Sequence, residues 1–145
     1  MKLTDHFTLD ELTRSQTATR RGIPNNPNVA QINALKALCE NVLEPLRAHF
    51  GASVNISSGY RAPAVNKAIG GAAGSQHTKG EAADFTIAGQ TVETVFQFIR
   101  QSDLPFDQVI QEGTWIHVSH KAKGPNRREA LRATFRQGKA SYTKV

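Results

Sequence analysis

The apolar residues Ile32, Leu35, Cys39, Val42 and Leu46 recur at intervals of three and four, and this stripe constrains the fold more than any other feature of the chain. The spacing places five apolar side chains on one face of a long helix, expected over about residues 29–49 with Asn28 as its cap. That face needs a covering layer, and the rest of the chain offers mainly short segments of period two. Residues 53–57 alternate as a strand, residues 82–87 read as a second, 108–112 as a third and 115–119 as a fourth. Gly113-Thr114 joins the last two as a two-residue turn. Shorter helices are expected at three places. One begins at Leu9, where Thr8 and Glu11 form a capping box and Phe7 packs on Leu12. Another runs from Pro63 to Gly70-Gly71, and a third from Thr91 to about Gln101 with Val92, Val95, Phe96 and Ile99 inward. The pattern is α+β: helices against one small, largely antiparallel sheet.

A chain of 145 residues is long enough to bury a core unaided, and one cysteine excludes an intramolecular disulfide framework. Cys39 lies on the apolar stripe and reads as packing. The N-terminus Met1-Lys2-Leu3-Thr4-Asp5-His6 is polar, and no stretch reaches membrane-spanning length, so synthesis in the cytoplasm is expected. The net charge of +6 is unevenly placed. Residues 1–119 carry ten basic and eleven acidic groups, whereas residues 120–145 carry eight basic groups and one acid, Glu129. A basic C-terminal tail attracts polyanions. The tail has no recognisable nucleic-acid module and few aromatics for stacking, so no specific nucleic acid is expected as partner.

The chemistry concentrates in three short blocks. His77 ends a glycine-rich loop, Asp84 follows seven residues later in a strand, and His117 stands in the apolar strand Trp115-Ile116-His117-Val118-Ser119. An uncommitted imidazole is costly to bury there, and two histidines with a carboxylate match the three-ligand pattern of hydrolytic zinc sites. The two-residue turn pairs Glu112 with Trp115 and Ile110 with His117, so Glu112, Trp115 and His117 share one sheet face. Glu112 is thereby placed to take a proton from a zinc-activated water and pass it to the leaving amine. Trp115 joins the substrate side of that face. Val118 and His120 point the other way, Glu81 is turned away from Asp84, and His6 and His49 read as surface residues. Arg61, just past a strand end, is suited to clamp a substrate carboxylate or polarise a carbonyl.

These blocks, Ser-Gly-Tyr-Arg at 58–61, Ser-x-His-x-x-Gly-x-Ala-x-Asp at 75–84 and Trp-x-His-Val at 115–118, resemble the zinc D,D-carboxypeptidase and endopeptidase family, peptidase family M15. That family includes phage L-alanoyl-D-glutamate endolysins and vancomycin-resistance D,D-dipeptidases. Phe7-Thr8-Leu9-Asp10-Glu11-Leu12 and Asn126-Arg127-Arg128-Glu129 extend the likeness over about residues 5–132, which implies one domain over residues 1–132 followed by a basic tail over 133–145. The resemblance implies the Hedgehog/D,D-peptidase-like fold, Zn2+ on His77, Asp84 and His117, Arg61 at the substrate, Ser75 near the substrate or behind the metal ligands, and a peptidoglycan stem peptide as that substrate. The expectation is a monomeric phage or prophage endolysin that reaches the wall after release from the cytoplasm, its basic tail holding anionic envelope polymers. A D-Ala-D-Ala carboxypeptidase and a zinc-stabilised binding module without hydrolysis are the competing readings.

Overall fold

The computed structural model describes residues 1–145. A two-stranded ribbon, β1 (Lys2–Thr4) and β2 (Phe7–Thr8), leads into α1 (Leu9–Thr13), whose Thr8–Glu11 capping box is formed reciprocally. A further helix, α2 (Gln16–Arg21), starts at Ser15 and stops at left-handed Gly22. The expected long helix is present as three contiguous pieces: α3 (Val29–Leu38), a π-helical turn (Cys39–Leu43) and α4 (Glu44–Phe50). Asn28 caps it together with Gln31, and Leu35, Leu38, Cys39, Val42, Leu43 and Leu46 are all fully buried.

The interruption has a local cause. Pro45 has no N–H to give to the carbonyl of Asn41, and its ring crowds that carbonyl, so the preceding turn widens and the Glu44 N–H bonds to Cys39 O instead. Burial pushes the Cys39 thiol up to about 12, with Glu44, Glu11 and Glu40 adding to the effect. A thiol held neutral in the core is packing.

The main sheet has six strands in the order β3-β4-β6-β5-β7-β8. These are β3 (Val54–Ser58), β4 (Ala82–Ile87), β5 (Gln108–Gln111), β6 (Ile116–Ser119), β7 (Glu129–Arg136) and β8 (Lys139–Lys144). Every neighbouring pair is antiparallel except β5 with β7. One face carries Ala83, Phe85, Val109, Ile116 and Val118 and packs on the core, where α6 (Val92–Gln101), the helix after the short α5 (Pro63–Ala68), contributes Val95, Phe96 and Ile99. The opposite face carries Asp84, His117 and Ile110, directly paired across three adjacent strands. The architecture is α+β.

The C-terminal segment corrects the expected tail. A boundary after residue 132 falls inside β7, and residues 133–145 complete a hairpin on the sheet edge. Gln137 (φ 52°) and Gly138 (φ 76°) both take positive φ, the two-residue turn whose twist matches antiparallel strands. Much of the local positive charge is also answered. Arg127 bonds Asp107 at 2.8 Å, Arg132 bonds Glu93 at 2.7 and 3.0 Å, and Lys144 approaches Glu129 at 3.9 Å. No helix is long and apolar enough to cross a membrane.

Candidate metal centre

Strand register builds the centre. Asp84 on β4 stands directly opposite His117 on β6, and His117 Nδ1 lies 2.9 Å from Asp84 Oδ1. His77 arrives from a 3₁₀ turn (Gln76–Lys79) capped by the Ser75 hydroxyl, which accepts the His77 N–H at 3.2 Å. Its Nε2 is 3.2 Å from the same Asp84 Oδ1. One ligand atom from each of the three residues lies within 4.8 Å of the others.

The tautomer of His77 shows what this arrangement lacks. His77 Nδ1 donates to the Gly59 carbonyl at 2.7 Å, so in the neutral ring Nε2 is a bare lone pair. That lone pair faces a carboxylate oxygen, another acceptor, and the pair calls for a cation between them. Ligands about 2.0–2.2 Å from a tetrahedral zinc stand roughly 3.3 Å apart, close to the observed separations. A backbone carbonyl behind the imidazole is also the usual way a metal-binding histidine is oriented. The donor set fits Zn2+.

Each part of Ser58-Gly59-Tyr60-Arg61 has its own task. Ser58 Oγ accepts from Arg61 Nε at 3.0 Å, the Gly59 carbonyl holds His77, and Tyr60 is buried in the core. A Cβ on Gly59 would stand 2.3 Å from the Leu12 carbonyl, so no larger residue fits. Arg61 donates to Asp84 Oδ2 at 3.2 Å and to Asn66 Oδ1 at 3.3 Å. Its guanidinium therefore orients the Asp84 carboxylate and keeps further N–H groups for the cleft. Burial pushes the Asp84 carboxyl up, but the His117 and His77 rings that face it hold it well below the usual carboxylate range when they carry their protons. Burial lowers the Arg61 guanidinium, opposed by the Asp84 charge.

A cleft of about 550 Å³ opens over the three residues. Arg61, Ser75, Glu112 and Trp115 line it, so all seven residues singled out in the sequence face one space. Ile110 pairs with His117 and the Glu112 N–H bonds the Trp115 carbonyl at 3.0 Å, which is the expected hairpin register. Burial raises the Glu112 carboxyl; His117 lowers it, Asp84 raises it and the Tyr142 hydroxyl lowers it. The Trp115 indole N–H is buried without a partner. Outside the cleft, His120 is buried with Nδ1 donating to Pro105 O at 2.6 Å, and Glu81 turns to Gln76. His49 stacks on Phe98, and half-exposed His6 is partnered by Glu44 at 2.7 Å.

A family model, Peptidase M15, matches residues 5–119. The chain belongs to the peptidase M15 family. Comparison with curated proteins gives no match. Peptidases of the M15 family are typically zinc-dependent, in keeping with the donor set.

Sequence reasoning missed further lining residues of this M15 cleft, among them Gln108, Arg127 and Tyr142. Gln108 shares the face of Ile110 by simple alternation, a signal that was present. Tyr142 reaches the cleft only because β7 pairs with β5. The contacts of two asparagines were equally silent. Asn25 ties Thr13 O, Tyr60 O and the Ala62 N–H together, and Asn66 joins Arg61 to Ala72 O.

Proposed function

We propose that this M15 peptidase is a zinc-dependent hydrolase of peptidoglycan stem peptides, acting as an endopeptidase in phage or prophage lysis. The observation that carries the zinc reading is the bare His77 Nε2 aimed at Asp84 Oδ1 beside His117. Zinc in such a site supplies Lewis-acid polarisation of the scissile carbonyl and a water acidic enough to ionise near neutral pH. Glu112 takes the proton of the attacking water on its carboxylate and returns it to the leaving amine. Burial raises its affinity for that proton towards the working range. Arg61 keeps Asp84 turned inward and offers its remaining N–H groups to the peptide. Ser75 holds the turn that presents His77, and Trp115 walls the cleft.

An internal cut is favoured by the space around Arg61. A second cleft of about 460 Å³, lined by Arg14, Ser15, Gln16 and Arg20 among others, shares Arg61 with the first, so a substrate that continues past the centre has a neighbouring space to enter. The exposed cations of the C-terminal hairpin, Arg136 and Lys139, support attraction to anionic envelope polymers, screened by salt.

The test is mass spectrometry of soluble products from purified sacculi incubated with zinc-loaded protein, against a chelated control. Zinc-dependent fragments with new internal termini are expected, and those termini name the bond. Walls of several chemotypes left unchanged by protein that retains its zinc would replace this reading with a binding module.

A further inference from the structure

The register of the outer sheet leads to a residue with no assigned role. Asp84, His117, Ile110, Leu131 and Lys144 form one cross-strand row over β4, β6, β5, β7 and β8. Two residues along each of the last four strands, on the same face, the next row reads Trp115, Glu112, Ala133 and Tyr142. Glu112 and Tyr142 thus flank β7, two strand spacings or about 9–10 Å apart at Cα. The residue between them is alanine. With only a methyl group in the way, the two long side chains can meet above it, and Ala133 is correspondingly buried. Both residues line the cleft over His77, Asp84 and His117. The Tyr142 side chain thus approaches the Glu112 carboxylate across the Ala133 methyl, and its phenol brings an O–H donor to a carboxylate acceptor.

We propose that Tyr142 is a positioning residue for the peptidase reaction: its hydroxyl, carried across Ala133 by the C-terminal hairpin, donates to the Glu112 carboxylate and fixes that group's aim at the centre. This rests on Glu112 acting as the base. It makes β8 part of the catalytic unit, although the strand is exposed throughout and contributes little to the core. Glu112 sits beyond the end of β5, next to Gly113 with its positive φ, where a carboxylate with no second contact has freedom to rotate. A donor from the far side removes that freedom without neutralising the base.

The experiment uses the zinc-loaded full chain and a purified stem-peptide fragment as substrate. Tyr142→Phe deletes only the hydroxyl. Its expected effect is a fall in kcat of about tenfold, the value of one hydrogen bond, with KM within about a factor of two and zinc affinity unchanged by chelator competition. Ala133→Leu, which leaves both partners in place but fills the space between them, is expected to reproduce that fall. Thr143→Val, on the opposite face of β8, should leave the rate alone. A second readout needs no turnover: in ¹³C-labelled protein the Glu112 carboxyl resonance, recognised by its absence in Glu112→Gln, should move in Tyr142→Phe and not in Thr143→Val. An unmoved resonance, or full kcat in Tyr142→Phe, overturns the proposal. Failure of the wild-type protein to cut any stem peptide would count against the peptidoglycan reading instead, and the resonance would still decide the contact.

Discussion

The inner and outer halves of the sheet build their polar pairs by different means. In the inner half, Asp84 and His117 are direct partners on adjacent central strands, mostly buried, 2.9 Å apart and held from behind by Arg61. In the outer half, Glu112 and Tyr142 are separated by a whole strand, and Tyr142 is 53% exposed. The inner pair is therefore determined by the backbone ladder, which cannot slip by one residue without turning Ala83, Phe85 and Val118 out of the core. The outer pair depends on side-chain length and on a hairpin anchored at its base. A metal centre tolerates little movement of its ligands, whereas a base can be tuned from a more adjustable edge.

The largest effect should come from the inner half. Asp84→Asn removes the negative charge shared by both histidines and Arg61, and is expected to abolish high-affinity zinc binding and reduce hydrolysis to background, measured by chelator competition and product mass. Glu112→Gln separates the halves: zinc affinity should be retained while kcat falls by about 10²–10⁴. Equal loss of zinc in both variants would erase the distinction between them.

The hairpin's anchor is next. Asp107 is fully buried at the start of β5, accepts Arg127 Nε and Nη2 at 3.1 and 2.8 Å, and takes the Arg127 backbone N–H at 2.9 Å. Asp107→Asn should cost about 1–3 kcal/mol in urea unfolding, by weakening a charge-assisted pair that pins the entry to β7. Burial pushes the Asp107 carboxyl up, but the Arg127 hydrogen bonds and the positive charges of Arg127 and Lys121 leave it below the usual range. Its stabilisation is complete above the unfolded value of about 3.9 and is lost as pH falls through the lower folded value. Wild-type stability should accordingly drop below about pH 4, and the drop should be shallower in Asp107→Asn. The smallest effect is expected at Arg132–Glu93, an exposed pair joining β7 to α6. Hydrogen bonds from Arg132 and Gln97 hold Glu93 down to about 2, yet Arg132→Ala should change stability by less than about 1 kcal/mol, because solvent screens the pair.

Much of the inner half was legible beforehand because its signals are local. Period-two alternation and the Gly113-Thr114 turn determine which of Glu112, Trp115 and His117 share a face, and the same parity excludes His120 and Glu81. The capping boxes at Thr8 and Asn28 required only neighbours three residues away. The outer half was read as a basic tail because residues 120–145 carry eight basic groups, while Gln137-Gly138 is a weaker turn signal than the strands it joins would warrant. The helix over 29–49 was expected unbroken; the π turn ahead of Pro45 is an addition of the structure, where Cys39, Val42 and Leu43 are buried.

The amino-acid sequence by itself determined the donor chemistry, two imidazoles and a carboxylate with a second carboxylate in register, because residue type and alternation act within a few positions of the chain. Tertiary structure decided the rest. It set the His77 tautomer through the carbonyl of Gly59, eighteen residues away, and bound Arg61 to Asp84. It also laid β7 parallel to β5, bringing Tyr142 to the cleft. Those contacts join segments whose meeting is governed by burial of the whole sheet, and no local spacing encodes them.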